Sequence, residues 1–216
     1  MRAGWLGCIT LGMADVTVVD SGICNLGSIS RALERAGGVV SVASAPADVA
    51  SAARLVLPGV GSFPAGMQSL IERGLVDAIR DFAASGKPLL GICLGMQLLF
   101  DTGTEFGDTP GLALIPGRVR EINAPGLAVP HMGWNRLEPT RKDPLLRNLP
   151  DEAFFYFVHS YVCEPADSAT VLAKTEYGER FCSVVRQDNV WGLQAHPEKS
   201  QNCGAQVLRN FLEFPA

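Results

Sequence analysis

The sequence lacks the features that would direct it to several common functions. Its formal net charge is −4, so there is no basic footprint for nucleic acid. No apolar run approaches the ~20 residues needed to cross a bilayer, so no membrane span is expected. Six cysteines stand at positions 8, 24, 93, 163, 182 and 203. None forms a Cys-x-x-Cys pair, which argues against a zinc site and against a compact disulfide framework. Free thiols suit a reducing compartment, so a cytoplasmic location is expected. There are only three histidines, no internal repeat and no low-complexity tract. What is present is enough for a core: 47% of the 216 residues are hydrophobic and 19% charged, the balance of one soluble globular domain.

Residues 1–14 carry one positive charge and an apolar run broken by glycine, a poor match to a secretory leader. They are expected to be an N-terminal extension, with the domain spanning 15–216. Within it, β-branched 16–20 predicts a strand, and 25–36 a helix closed by Gly37-Gly38 and capped by Asn25. Residues 39–43 and 54–57 read as further core strands, and 75–84 as a helix. Strand, helix and strand in that order imply parallel crossovers of right-handed sense. From Gly117 the pattern changes to short alternating strands at 118–122, 153–161, 169–174 and 180–186, which predict antiparallel hairpins. Strand-like 190–193 and a helix over 201–214 close the chain.

The chemistry centres on Gly91-Ile92-Cys93-Leu94-Gly95-Met96-Gln97. The apolar run 88–92 predicts a buried strand, and Met96, Leu99 and Phe100 recur afterwards at helical spacing. Cys93 then sits on a strand-to-helix turn. Glycines two positions to either side permit the sharp reversal that lifts a nucleophile above a sheet. Unpaired N–H groups at the start of the following helix favour a thiolate, and the Leu94 N–H is the nearest donor for a substrate oxyanion. A buried cysteine acting as a small hydrophobe is the competing reading. A thiol nucleophile also needs a base and a group that orients the base. His196-Pro197-Glu198 follows the strand-like 190–193 and supplies both types two residues apart. Alone, it would read as a surface turn; paired with the glycine-flanked cysteine it does not.

Together, the glycine-flanked Cys93 and His196-Pro197-Glu198 resemble the signature of class I (triad) glutamine amidotransferases. Pro58-Gly59-Val60-Gly61-Ser62-Phe63 resembles the oxyanion loop of glutaminase subunits of imidazole glycerol phosphate synthases. Pro130-His131-Met132-Gly133-Trp134-Asn135 resembles a stretch distinctive of those subunits. The resemblance runs from about residue 15 to the C-terminus. It implies an α/β fold with a mostly parallel, flavodoxin-like open sheet flanked by helices and an antiparallel β extension. It also implies a Cys93–His196–Glu198 triad that hydrolyses L-glutamine through a thioester, with no metal or cofactor.

Several roles follow from the resemblance alone. The N–H groups of Val60 and Leu94 would hold the oxyanion, with Gly59 and Gly61 shaping the loop. Gln97, Glu105 and the run His159-Ser160-Tyr161 would bind glutamine, Glu105 taking its ammonium group. Asn25, Trp134, Tyr156 and Lys199 would face a (β/α)8-barrel cyclase that receives the ammonia. At Asn25 the match is imperfect, because Ser21 and Cys24 depart from the family loop. Other glutaminases, serving pyridoxal phosphate or purine synthesis, share the triad but should lack the segment 130–135. A cysteine peptidase or esterase on a related fold, and a regulatory module without catalysis, are the remaining alternatives.

Overall fold

The computed structural model describes residues 14–215. The expected extension thus lies outside the described residues apart from Ala14, which already pairs with Gly38 in the sheet. The first half of the chain comprises β1 (Ala14–Val19), α1 (Leu26–Arg35), β2 (Gly38–Ala43), α2 (Pro46–Ser51), β3 (Leu55–Gly59), α3 (Phe63–Glu72), α4 (Leu75–Ala84), β4 (Leu89–Cys93) and α5 (Leu94–Leu98). The second half comprises β5 (Phe100–Gly103), β6 (Thr109–Pro110), β7 (Ile115–Glu121), β8 (His131–Pro139), β9 (Ala153–His159), β10 (Tyr161–Pro165), β11 (Val171–Tyr177), β12 (Glu179–Gln187), β13 (Val190–Leu193) and α6 (Gln201–Leu212).

Strands β2, β1, β3, β4 and β13 lie side by side and parallel. Every residue of β3, β4 and β13 is buried, as expected where helices cover both faces of a parallel sheet. Alternation along these strands feeds two cores. Val56, Leu90 and Ile92 join Leu33 of α1 and Phe211 of α6 on one face. Leu55, Leu57 and Leu89 join Leu70 of α3 and Ile79 of α4 on the other. Beyond β13 the sheet continues antiparallel through β12 and β10 to β7; β5 then pairs with β7 in parallel, and β6 pairs antiparallel with β5 at the edge. A branch through β11 and β8 ends at β9.

Sequence and structure differ in several places. Helical spacing at Met96, Leu99 and Phe100 predicts a longer helix, but α5 stops at Leu98, and Phe100 opens β5 by pairing with Ile115 of β7. Sheet pairing overrides a weak periodic signal here. The polar, glycine-bearing residues 101–107, which by composition read as a loop, are accordingly strand as far as Gly103 and turn beyond it. The aromatic run 153–161 is broken at Ser160: β9 pairs with β8, whereas β10 pairs with β7 and β12. Helices α2 and α3 and strand β8 have no counterpart in the expectation.

Candidate active site

The topology brings distant residues together at one sheet edge. In the register, Gly59 of β3 is opposite Cys93 at the end of β4, and Leu193 of β13 is opposite Ile92. The chain leaving β13 reaches His196 three residues later. Three neighbouring strands therefore deliver the glycine loop, the thiol and the imidazole to their common carboxyl end, the edge at which open α/β sheets bind ligands.

Cys93 occupies the turn in a conformation uncommon for a side chain bearing a Cβ, φ 55° and ψ −114°. The glycines around it permit close packing. A Cβ on Gly95 would lie 1.8 Å from the Leu57 carbonyl oxygen, and one on Gly91 would lie 2.6 Å from the Gly95 carbonyl oxygen. The thiol lies 3.9 Å from the Val158 carbonyl oxygen and accepts a long hydrogen bond from the Gln194 amide at 3.8 Å. His196 is buried, and its Nδ1 lies 2.8 Å from Glu198 Oε1. Its Nε2 is also buried and has no hydrogen-bond partner among the described residues. Burial opposes charging the ring, but interactions with Cys93 and then Glu198 outweigh it and push the imidazole up to about 10. The ring and the thiol thus interact electrostatically, although the side-chain hydrogen bond the ring makes is the one to Glu198.

A cavity of about 260 Å³ opens over the thiol. Cys93 and His196 line it together with Val60, Gly61, Leu94, Gln97, Glu105, His159, Ser160 and Tyr161. Glu105 is half-buried, and its Oε2 accepts from the Phe63 N–H at the start of α3, at 2.7 Å. Gln97 is buried and donates to the Tyr161 carbonyl and to Gln194 Oε1, both at 3.1 Å.

Other residues fall elsewhere. Gly59 lines a smaller crevice behind the loop, with Asn25 and Glu198, and packs against Leu94; it shapes the loop without reaching the main cavity. Asn25 caps α1, accepting from the Ser28 N–H at 3.3 Å. The N–H of Val60 donates to the Ile23 carbonyl at 2.9 Å. Contrary to expectation, it is therefore not directed at a substrate oxyanion in this conformation, because the loop between β1 and α1 already satisfies it. Trp134, Tyr156 and Lys199 gather on the surface: Trp134 meets Tyr156 edge-on at 6.1 Å, and the Lys199 ammonium lies 5.4 Å from the Tyr156 ring centre. The His131 ring is buried, whereas Met132 and Trp134 of the same strand are exposed. Sequence reasoning missed Gln194, which touches the thiol. Its position two residues before His196, at the end of a buried strand, is the signal that could have marked it.

The chain belongs to the class-I glutamine amidotransferase family, whose model matches residues 17–214. It is 46% identical to the imidazole glycerol phosphate synthase subunit HisH of Moorella thermoacetica, over 94% of this chain and 96% of that protein. It is 49% identical to the HisH subunit of Salinibacter ruber, over 92% and 94%. Among solved structures, a glutamine amidotransferase shares the fold with a TM-score of 0.73 at 24% identity, covering 92% of this chain and 97% of that one. PurLQS from Thermotoga maritima matches with a TM-score of 0.72 at 20% identity, covering 93% and 98%. Among the described residues, no helix is long and apolar enough to cross a membrane.

Proposed function

We propose that this chain is the glutaminase subunit of an imidazole glycerol phosphate synthase. It hydrolyses L-glutamine to glutamate and ammonia in the cytoplasm. Ammonia passes through a closed passage to a (β/α)8 cyclase in a heterodimer with lyase activity, which forms imidazole glycerol phosphate and aminoimidazole carboxamide ribotide for histidine synthesis. The observation that carries the reading is the meeting of Cys93, His196 and Glu198 at the ends of adjacent strands, beneath a cavity suited to a small amino acid.

In this mechanism His196 takes the Cys93 proton while Glu198 holds the ring in the productive tautomer. The thiolate attacks the δ-carbon of glutamine, and the Leu94 N–H meets the negative oxygen. His196 then gives that proton to the amide nitrogen, which leaves as ammonia, and water, activated by the same ring, cleaves the thioester to release glutamate and restore the Cys93 thiol. Glu105 receives the α-ammonium, and the 159–161 backbone receives the α-carboxylate. Val60 serves as second oxyanion donor once its bond to Ile23 is released. The isolated chain is therefore expected to be a weak glutaminase that a cyclase accelerates, which glutamate release with and without the partner measures. Exposed Met132, Trp134 and Phe154 supply apolar area for that partner, with Asn25, Tyr156 and Lys199 beside it.

Replacing Cys93 by Ala tests the assignment. Glutamine-dependent synthesis should fall to background while the complex still works with free ammonia. Loss of both activities would break the division of labour.

A further inference from the structure

The imidazole rings of two buried histidines are given no role in the chemistry above. His131 of β8 and His159 of β9 are opposite each other in the register, 2% and 6% exposed. The Nδ1 of His131 lies 3.0 Å from the Nε2 of His159, and the Nδ1 of His159 lies 2.9 Å from the Tyr161 carbonyl oxygen. At the far end, Asn135 Nδ2 lies 3.2 Å from His131 Nε2.

The direction of this chain follows from its ends. Asn135 Oδ1 accepts from the Arg136 N–H at 2.7 Å, and its Nδ2 donates to the Glu176 carbonyl at 2.9 Å. Turning the amide over would set oxygen against oxygen and N–H against N–H, so Nδ2 is fixed as the donor to His131. His131 Nε2 must then accept, which in a neutral ring leaves the proton on Nδ1. That proton is donated to His159 Nε2, so His159 also carries its proton on Nδ1 and gives it to the Tyr161 carbonyl. Burial keeps both rings uncharged, lowering His131 to about 4 and His159 to about 3. His131 is also clamped between the stacked rings of Tyr177 and Phe157, with centres 4.0 and 5.0 Å away.

The receiving carbonyl is a junction. Gln97 donates to it, and the same Gln97 amide group donates to Gln194, whose amide reaches Cys93 Sγ. We propose that His131 and His159 act as a positioning pair, two neutral imidazoles locked as Nδ1–H tautomers that donate in one direction from Asn135 to the Tyr161 carbonyl and thereby fix the 159–161 backbone over the cavity. The inference rests on the glutaminase reading, because that backbone is where the glutamine carboxylate is placed. His131 does not line the cavity, so any effect it has on substrate binding travels through this chain of bonds.

The test compares His131→Leu with His131→Asn in the full chain assayed with its cyclase. Asparagine places an N–H donor where Nδ1 stood, and leucine places none. Leucine should raise the glutamine KM roughly fivefold or more with kcat little changed, the effect expected when a buried bond loses its donor, and asparagine should restore most of it. In parallel, long-range proton–nitrogen NMR of the wild-type chain should find both rings neutral with the proton on Nδ1, which needs no variant to fold. A proton on Nε2 in either ring, an unchanged KM in the leucine variant, or equal damage from both variants would overturn the inference. A wild-type complex that releases no glutamate from glutamine would instead overturn the reading beneath it, and the two failures are distinguishable.

Discussion

The parallel and antiparallel parts of the sheet hold their functional residues by different means. In the parallel part, β3, β4 and β13 fix the thiol, the loop and the imidazole through backbone packing so close that single hydrogens on glycine are required. In the antiparallel part, β8, β9 and β10 hold the cavity wall through side-chain hydrogen bonds among Asn135, His131 and His159, with His159 and Gln97 of α5 both donating to the Tyr161 carbonyl. Sterics of the first kind fail abruptly, whereas hydrogen-bonded networks fail by degrees. On the proposed function, the reacting atoms therefore stand on the stiffer part, and recognition of the substrate is divided between the two.

The sharpest way to break this contrast is to add one methyl group to each part. In Gly95→Ala the new Cβ meets the Leu57 carbonyl at 1.8 Å, and both belong to backbone that cannot move alone. Glutaminase activity should fall to the level of Cys93→Ala, and Tm should drop by roughly 5–10 °C, as overpacking by a few kcal/mol does in a domain of this size. Gly133→Ala in β8 has nothing within 4 Å and only a left-handed φ of 134° to strain. It should cost about 1–2 kcal/mol in urea denaturation and leave activity measurable. Equal damage from the two would remove the distinction.

Glu105 sharpens the comparison, since it stands on the edge between β5 and β6 yet caps α3 through the Phe63 N–H. Glu105→Ala should raise the glutamine KM roughly tenfold to a hundredfold, the range for losing a charged hydrogen-bond partner, with a smaller effect on kcat. An unchanged KM would return the residue to a capping role.

How much was legible in the sequence divides along the same line. The elbow could be read because its steric demand is local: glycines at 91 and 95 and the apolar strand before them belong to one short stretch. The first strands and helices could be read for the same reason, through periodicity and caps. Strand β8 and the bond from Val60 to Ile23 could not be read, because each depends on a partner distant in the chain. Gln194 and the His131–His159 pair were hidden similarly. Their polar side chains look ordinary until folding buries them against one another, and a residue's partner is not written beside it.

The weakest expected effect is a difference in pH response between the two parts. Burial lowers His131 to about 4 and His159 to about 3, so their neutral forms contribute stability that is complete above the unfolded value near 6.5 and is lost as pH falls through the lowered values. His196 is raised to about 10, so its contribution is complete below about 6.5 and is lost as pH rises toward 10. Urea midpoints measured from pH 5 to pH 9 should therefore peak near neutrality, with a decline on the order of 1 kcal/mol for each buried histidine at the acid end. In His131→Asn the acid limb should flatten while the alkaline limb stays, and in His196→Asn the reverse should hold. If either variant flattened both limbs, the two parts of the sheet would be titrating as one unit, and the separation between a sterically fixed site and a hydrogen-bonded wall would not survive.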